Sequence, residues 1–178
     1  MLILELVANI CIETLDLEGS VFNEIDKLTV LGKFDCFLRV SFSNKKIDRG
    51  GEEVQGIDEL KELRDGYVHM KFHRIKKEVI GDSGPGRFET TNFLSIPENP
   101  QGWDQNSVTS VMSAVHGFLK YFFKEKCRYS ASKVSSLLFS ETEIPGSEDA
   151  GIPVLYKTTR TELMNLGIDI SYVKVMWV

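Results

Sequence analysis

Arginine, aspartate and histidine stand close together in the stretch "ELRDGYVHMK": Arg64 is followed at once by Asp65, and His69 comes five positions after Arg64. A guanidinium offers a fork of N–H donors that matches a phosphate, and an imidazole moves protons near neutral pH. On a helix, positions four apart share a face, so the Asp65 carboxylate could orient the His69 ring or raise its pKa. Arg64 lies further round, but its long side chain reaches the same phosphate-sized site. The chemistry that fits is electrostatic binding of a phosphate beside a proton-transferring imidazole. The same residues also suit a plain surface ion pair between Arg64 and Asp65, and both readings stay open here.

The element that must carry this motif is a helix from about Glu52 to Met70. Val54, Ile57, Leu60, Leu63, Tyr67 and Val68 recur in it at three and four. Before it, residues 2–28 have helical periodicity, with Glu5, Asn9 and Glu13 four apart on one face of an otherwise apolar helix and Gly19 able to bend the segment. In "VFNEIDKL" the apolar stripe is Val21, Phe22, Ile25 and Leu28. A second, Phe-rich helix is predicted in "LTVLGKFDCFLRVSF", followed by a polar turn "SNKKIDRGG". Between about 78 and 102 the helical pattern breaks, and "GDSGPG", "RFETTNFLSI" and "PENPQGW" predict a β-hairpin or extended arm. Helix resumes with Asp104 or Ser107 as the cap and runs to about Cys127. In the tail, "SASKVSSLLFS" suits a short helix and "ETEIPGSEDAGIP" an acidic loop. "KTTRTELMNLG" reads as a helix closed by Gly167, and "IDISYVKVMWV" alternates like a strand.

With 178 residues the chain is long enough for one domain with a substantial core, or for one domain with an appendage. A formal net charge of −5 argues against a protein that coats nucleic acid non-specifically. A local patch can still bind RNA, and "KFHRIKK" carries Lys71, Arg74, Lys76 and Lys77 with no acid among them. Cys11, Cys36 and Cys127 are widely spaced and form no CxxC pair, which suggests neither a disulfide framework nor a zinc site and fits a reducing cytoplasm. The apolar start "MLILELVANICIETL" lacks the basic flank of a signal peptide, and no run approaches the ~20 apolar residues of a membrane span.

Other residues suited to chemistry carry less. His73 follows His69 by four, a metal-pair spacing, but no third ligand and no HExxH accompany it, so no metal and no cofactor is expected. His116 sits among Met112, Val115 and Leu119 on its helix, the surroundings of a partly buried histidine. "GDSGPGR" lacks the ending of a phosphate loop, and no Ser or Cys nucleophile motif occurs. The acids of "SETEIPGSED" read as a solvated loop.

"LKELRDGYVHMK" resembles the signature helix of the HEPN superfamily, in which an Arg is followed by a polar residue, three variable residues and a His. The order of neighbours is similar as well: "FNEIDKL", then "LGKFDCFLRV", a charged Gly-containing turn, the motif, an irregular insert, and a final helix after "IPENPQGW". The resemblance covers residues 1–127 and leaves 128–178 as a C-terminal extension packed on that domain. It implies a mainly α, HEPN-like helical bundle with a β-hairpin or extended insert and a small mixed C-terminal extension. It implies a homodimer in which two Arg/His motifs face one another across a cleft, and a metal-independent RNA endonuclease. The RNA 2′-OH would attack the adjacent phosphate while His69 transfers protons, Arg64 stabilises charge on the phosphoryl oxygens, and Asp65 fills the polar position. Tyr67, Lys71, Arg74, Lys76 and Lys77 would hold the strand by stacking and charge. A neutralising, antitoxin-like partner belongs to the same picture. Two positions depart from the family pattern: Asp65 stands where Asn is commoner, adding a charge that repels phosphate, and Gly66 weakens the helix inside the motif. The alternative is a non-catalytic HEPN-like dimerisation or RNA-binding module, with Arg64 and Asp65 as a structural ion pair.

Overall fold

The computed structural model describes residues 1–43, 45–68, 77–78, 87–139 and 152–178, of which 77–78 and 87–88 are described as backbone alone. The fold is mainly α, with seven α-helices among the described residues. It comprises two compact units, Met1–Asp48 with Leu119–Val178, and Arg49–Phe118. Residues 128–178 therefore share a unit with the first 48 residues.

In the first unit the expected opening segment is two helices, α1 (Leu2–Glu13) and α2 (Gly19–Asp26). The break comes at Asp16, whose φ of +47° lies in the left-handed region that no helix continues through; Gly19 opens α2 and does not bend a longer helix. Leu4, Val7, Ala8, Cys11 and Ile12 give α1 one buried face. α3 (Val30–Ser41) starts on Thr29, whose hydroxyl accepts the Gly32 N–H at 3.2 Å. It packs against both earlier helices and buries Val30, Leu31, Phe34, Phe37 and Leu38.

α3 also buries a lysine. Lys33 is 2% exposed, and its ammonium donates to Asp26 at 2.7 Å, Asn9 at 2.8 Å and Glu5 at 2.9 Å. Its three donors thus meet three acceptors, supplied by α1 and α2. Burial works against the charged form, but the bonds to Asp26 and Glu5 outweigh it and raise the Lys33 pKa. A raised lysine pKa means that the pairing stabilises fully at neutral pH and is lost only as pH rises through the alkaline range. α2 buries no residue of its own, so the Asp26 bond is a main tie between it and the rest of the unit.

α5 (Gln105–Lys120) begins in the second unit and ends in the first, and Tyr121–Lys126 continue it as a π-helix. Within the first unit the π segment supplies Phe122, whose ring centre lies 4.5 Å from that of Phe34 in an edge-on arrangement, and Phe123, which stacks on Tyr129 and Tyr172 at 6.4 and 6.2 Å. Each such buried ring contributes roughly 1.5–3 kcal/mol of apolar burial. α6 (Ala131–Phe139) rests on α1, and its Ser135 Oγ donates to the Lys174 carbonyl at 2.8 Å. The short parallel pair β3 (Val154–Leu155) and β4 (Met176–Trp177) flanks α7 (Lys157–Asn165). Gly167, at φ +68°, closes α7 as the sequence predicts: its N–H bonds Met164 O and the Ile168 N–H bonds Leu163 O, the paired bonds of a helix stopped by a left-handed residue. Of the strand expected after it, only Met176–Trp177 pairs. Lys120 Nζ donates to Asp169 at 2.6 Å; that bond and the Ser171 N–H pull the Asp169 pKa down to about 2.

The second unit contains α4 (Glu52–Val68), an arm, and α5 up to Phe118. Where a β-hairpin or extended arm is expected, the described residues include the antiparallel pair β1 (Lys77–Glu78) and β2 (Arg87–Phe88), and the "GDSGPG" turn lies outside them. Asp104 and Ser107 act together at the start of α5: the Ser107 N–H donates to Asp104 Oδ1 at 2.8 Å and the Asp104 N–H donates to Ser107 Oγ at 3.3 Å. The Ser107 N–H holds the Asp104 carboxyl below its ordinary pKa. No helix among the described residues is long and apolar enough to cross a membrane.

Lys33→Ala should destabilise the protein by about 2 kcal/mol in urea unfolding, below the loss for a fully buried pair because both carboxylates keep contact with water. Lys33→Met, which keeps the buried stem, should lose less. The Asp169 carboxyl should titrate near pH 2 by NMR, its stabilising contribution being present above the ordinary carboxylate pKa and lost as pH falls towards that value. Lys120→Ala should move the midpoint up towards the ordinary range.

Candidate functional site

α4 positions the motif, and it does so by burying only its first three turns. Val54, Gly56, Ile57 and Leu60 are buried, Leu63 is half-buried, and Tyr67 and Val68 are exposed. The apolar stripe expected to run the whole length thus fades where the motif begins. The helix passes through Gly66 to Val68 despite that glycine's low propensity.

Arg64 is 54% exposed, and its Nη1 lies 3.6 Å from Asp65 Oδ1. That distance is an ion pair without a hydrogen bond, so among the described residues the guanidinium keeps its donors for an incoming acceptor. Asp65 Oδ2 also lies 3.3 Å from Lys61 Nζ, one turn back. Lys61 and Arg64 against Asp65 leave one positive charge, which offsets the repulsion that Asp65 alone would exert on a phosphate. Over its whole length α4 is acidic, with Glu52, Glu53, Asp58, Glu59, Glu62 and Asp65 against those two cations. A polyanion held at this end therefore needs the basic run that follows it in the sequence.

Two contacts within the second unit fix the arm against α4. The Glu59 carboxylate accepts the backbone N–H groups of Asn92, Phe93 and Leu94 at 2.7–3.0 Å. A turn that presents three consecutive N–H groups to one carboxylate is locked by charge-assisted bonds. Further along, the Tyr67 hydroxyl donates to Asn99 Oδ1 at 2.8 Å, and the same oxygen accepts the Gln101 N–H at 2.9 Å. Tyr67 is thus anchored at its hydroxyl with its ring half exposed, a geometry that offers a ring face for stacking.

Of the residues the sequence singles out, Arg64 and Asp65 meet, and Tyr67 is held beside them by Asn99. His69, Lys71, Arg74 and Lys76 lie outside the described residues, as does His73; Lys77 is described only as backbone in β1. His116 is half-buried on α5, and burial lowers its pKa. No family model, characterised protein or solved structure matches the chain. Among the described residues no group of His, Cys, Asp or Glu could hold a metal ion. All three cysteines are free thiols. Burial pushes the Cys11 and Cys127 pKa values up, the latter to about 12, and burial together with Asp35 raises that of Cys36, so none is a poised nucleophile.

Sequence reasoning passed over Glu59, Lys61 and Asn99. Lys61 was recoverable from its four-residue spacing to Asp65, and Asn99 from its place before a proline in a turn. Nothing local marks Glu59, whose partners lie 33–35 residues away. Glu59→Ala should strip hydrogen-exchange protection from the Asn92, Phe93 and Leu94 amides and cost about 1–2 kcal/mol, while α4 amides before Leu60 keep theirs.

Proposed function

We propose that the chain is a HEPN-like, metal-independent RNA endonuclease that acts as a homodimer in the cytoplasm. The observation that carries this reading is Arg64. Its guanidinium is exposed and only loosely paired at 3.6 Å, on α4, and His69 comes five residues later in the sequence. In the proposed reaction the RNA 2′-OH attacks the adjacent phosphorus and displaces the 5′ oxygen of the next nucleotide, leaving a 2′,3′-cyclic phosphate. Arg64 stabilises charge on the non-bridging oxygens, and His69 carries the proton between the attacking and leaving oxygens. Tyr67, anchored by Asn99, offers its ring to a base, and Lys71, Arg74, Lys76 and Lys77 supply the positive charge that α4 lacks.

One observation favours a second reading. Asp65 engages both Lys61 and Arg64, the arrangement of a structural ion-pair cluster, and this suits a non-catalytic interaction module with the same helices.

Incubation with a pool of labelled RNAs in EDTA separates the two. The nuclease reading expects cleavage with 2′,3′-cyclic phosphate ends, reduced roughly 10²–10⁴-fold in His69→Ala and comparably in Arg64→Ala, with both variants folded. Cleavage that survives both substitutions would sink the assignment of these residues. No cleavage with unchanged self-association would favour the interaction module.

A further inference from the structure

The start of α7 and the β3–β4 pair bring exposed aromatic surface next to positive charge, away from the residues of the motif in the sequence. Parallel pairing sets Leu155 opposite Trp177, and these two are half-buried, whereas Tyr156 is 71% exposed. Tyr156 is the N-cap of α7, and its carbonyl accepts the Arg160 N–H at 3.3 Å, so the two residues stand on the first turn of that helix. The Arg160 guanidinium carbon lies 5.6 Å from the centre of the Trp177 ring. A guanidinium laid on an aromatic ring keeps its N–H edge for an acceptor and is itself a flat surface for stacking. Lys157, bonded through its N–H to the Val178 carbonyl, and Lys174, exposed at the other end of the β4 segment, flank the cluster. Among the described residues none of Lys157, Arg160 and Lys174 has an ion-pair partner. Glu162 is the single acid of α7, and Asp169 is taken up by Lys120.

We propose that Tyr156, Lys157, Arg160, Lys174 and Trp177 form a binding surface for single-stranded RNA, bases stacking on Tyr156 and on the Arg160–Trp177 pair while the cations meet phosphates. Charge complementarity selects the occupant: Lys157, Arg160 and Lys174, without an ion-pair partner among the described residues, stand here in a chain of net charge −5, and an exposed ring with a stacked guanidinium is the chemistry of base and phosphate together. An anionic lipid surface would call for an outward tryptophan between the cations, and Trp177 is instead half-buried under Arg160. The choice of RNA rests on the function proposed above.

The test uses the His69→Ala protein in EDTA, titrated into a fluorescently labelled single-stranded RNA of about 12 nucleotides, the length range of one single-strand site. Tyr156→Ala should weaken binding by roughly 10-fold or more, and Tyr156→Phe should retain it. Lys157→Glu with Arg160→Glu should weaken it further and flatten the salt dependence. These positions are exposed, and circular dichroism checks that each variant folds. Equal affinity in all variants overturns the proposal, as does binding to anionic vesicles, without binding to RNA, that the same substitutions remove. Cleavage by the parent, followed in parallel, separates this proposal from the nuclease reading. RNA binding lost in Tyr156→Ala without any parental cleavage keeps the surface and removes the nuclease. Parental cleavage with binding indifferent to Tyr156 does the reverse.

Discussion

A single ammonium group organises the helices of the first unit. Lys33 sits almost fully out of water, and an unpaired charge there would cost several kcal/mol; α1 and α2 can approach α3 only in the arrangement that delivers Glu5, Asn9 and Asp26 to it. Apolar contacts between helices tolerate sliding, since one leucine packs against another in many ways. Three hydrogen bonds from one nitrogen do not. The apolar core, with Phe34, Phe37, Phe122 and Phe123 among its largest fully buried side chains, supplies the driving force, and the lysine selects one packing among those the core would accept.

The second unit follows a different rule. α4 is buried where it begins and solvated where it ends, and its charged end is braced by an arm whose turn is held on Glu59 and whose Asn99 holds Tyr67. Bracing matters for any chemistry at Arg64, because a guanidinium on a fraying helix end loses the orientation that makes its fork selective. The pairing of Asp65 with Lys61 eases the electrostatic objection at that one position, since the carboxylate that repels a phosphate has a cation of its own, while α4 as a whole stays acidic.

Much of this was legible in the sequence, for reasons that differ by element. α3, α5 and α7 announce themselves by period, and the last two also by caps: the Asp104–Ser107 pair and Gly167 each do what residues of those types do at helix ends, whereas the Thr29 cap of α3 was passed over. The break between α1 and α2 was not legible, because it is made by Asp16 in a left-handed conformation and not by a glycine. Lys33 was not legible either. Lysine belongs on surfaces, and its three partners are 7, 24 and 28 residues away, so nothing local distinguishes it from Lys27. At the motif, Arg64 and Asp65 stand as neighbours in sequence and in space, while Tyr67 was read for stacking and its anchor to Asn99 was invisible across 32 residues.

The π segment Tyr121–Lys126 has a consequence for how the chain can change over time. A π turn arises from one extra residue within an α-helix, and one residue is about 100° of rotation. Within the first unit the segment sets two neighbouring rings to different partners, Phe122 against Phe34 and Phe123 against Tyr172. Side-chain exchanges here need only preserve volume, whereas loss of a single residue would turn the rings away from those partners. Length, more than identity, is the quantity under constraint in this stretch.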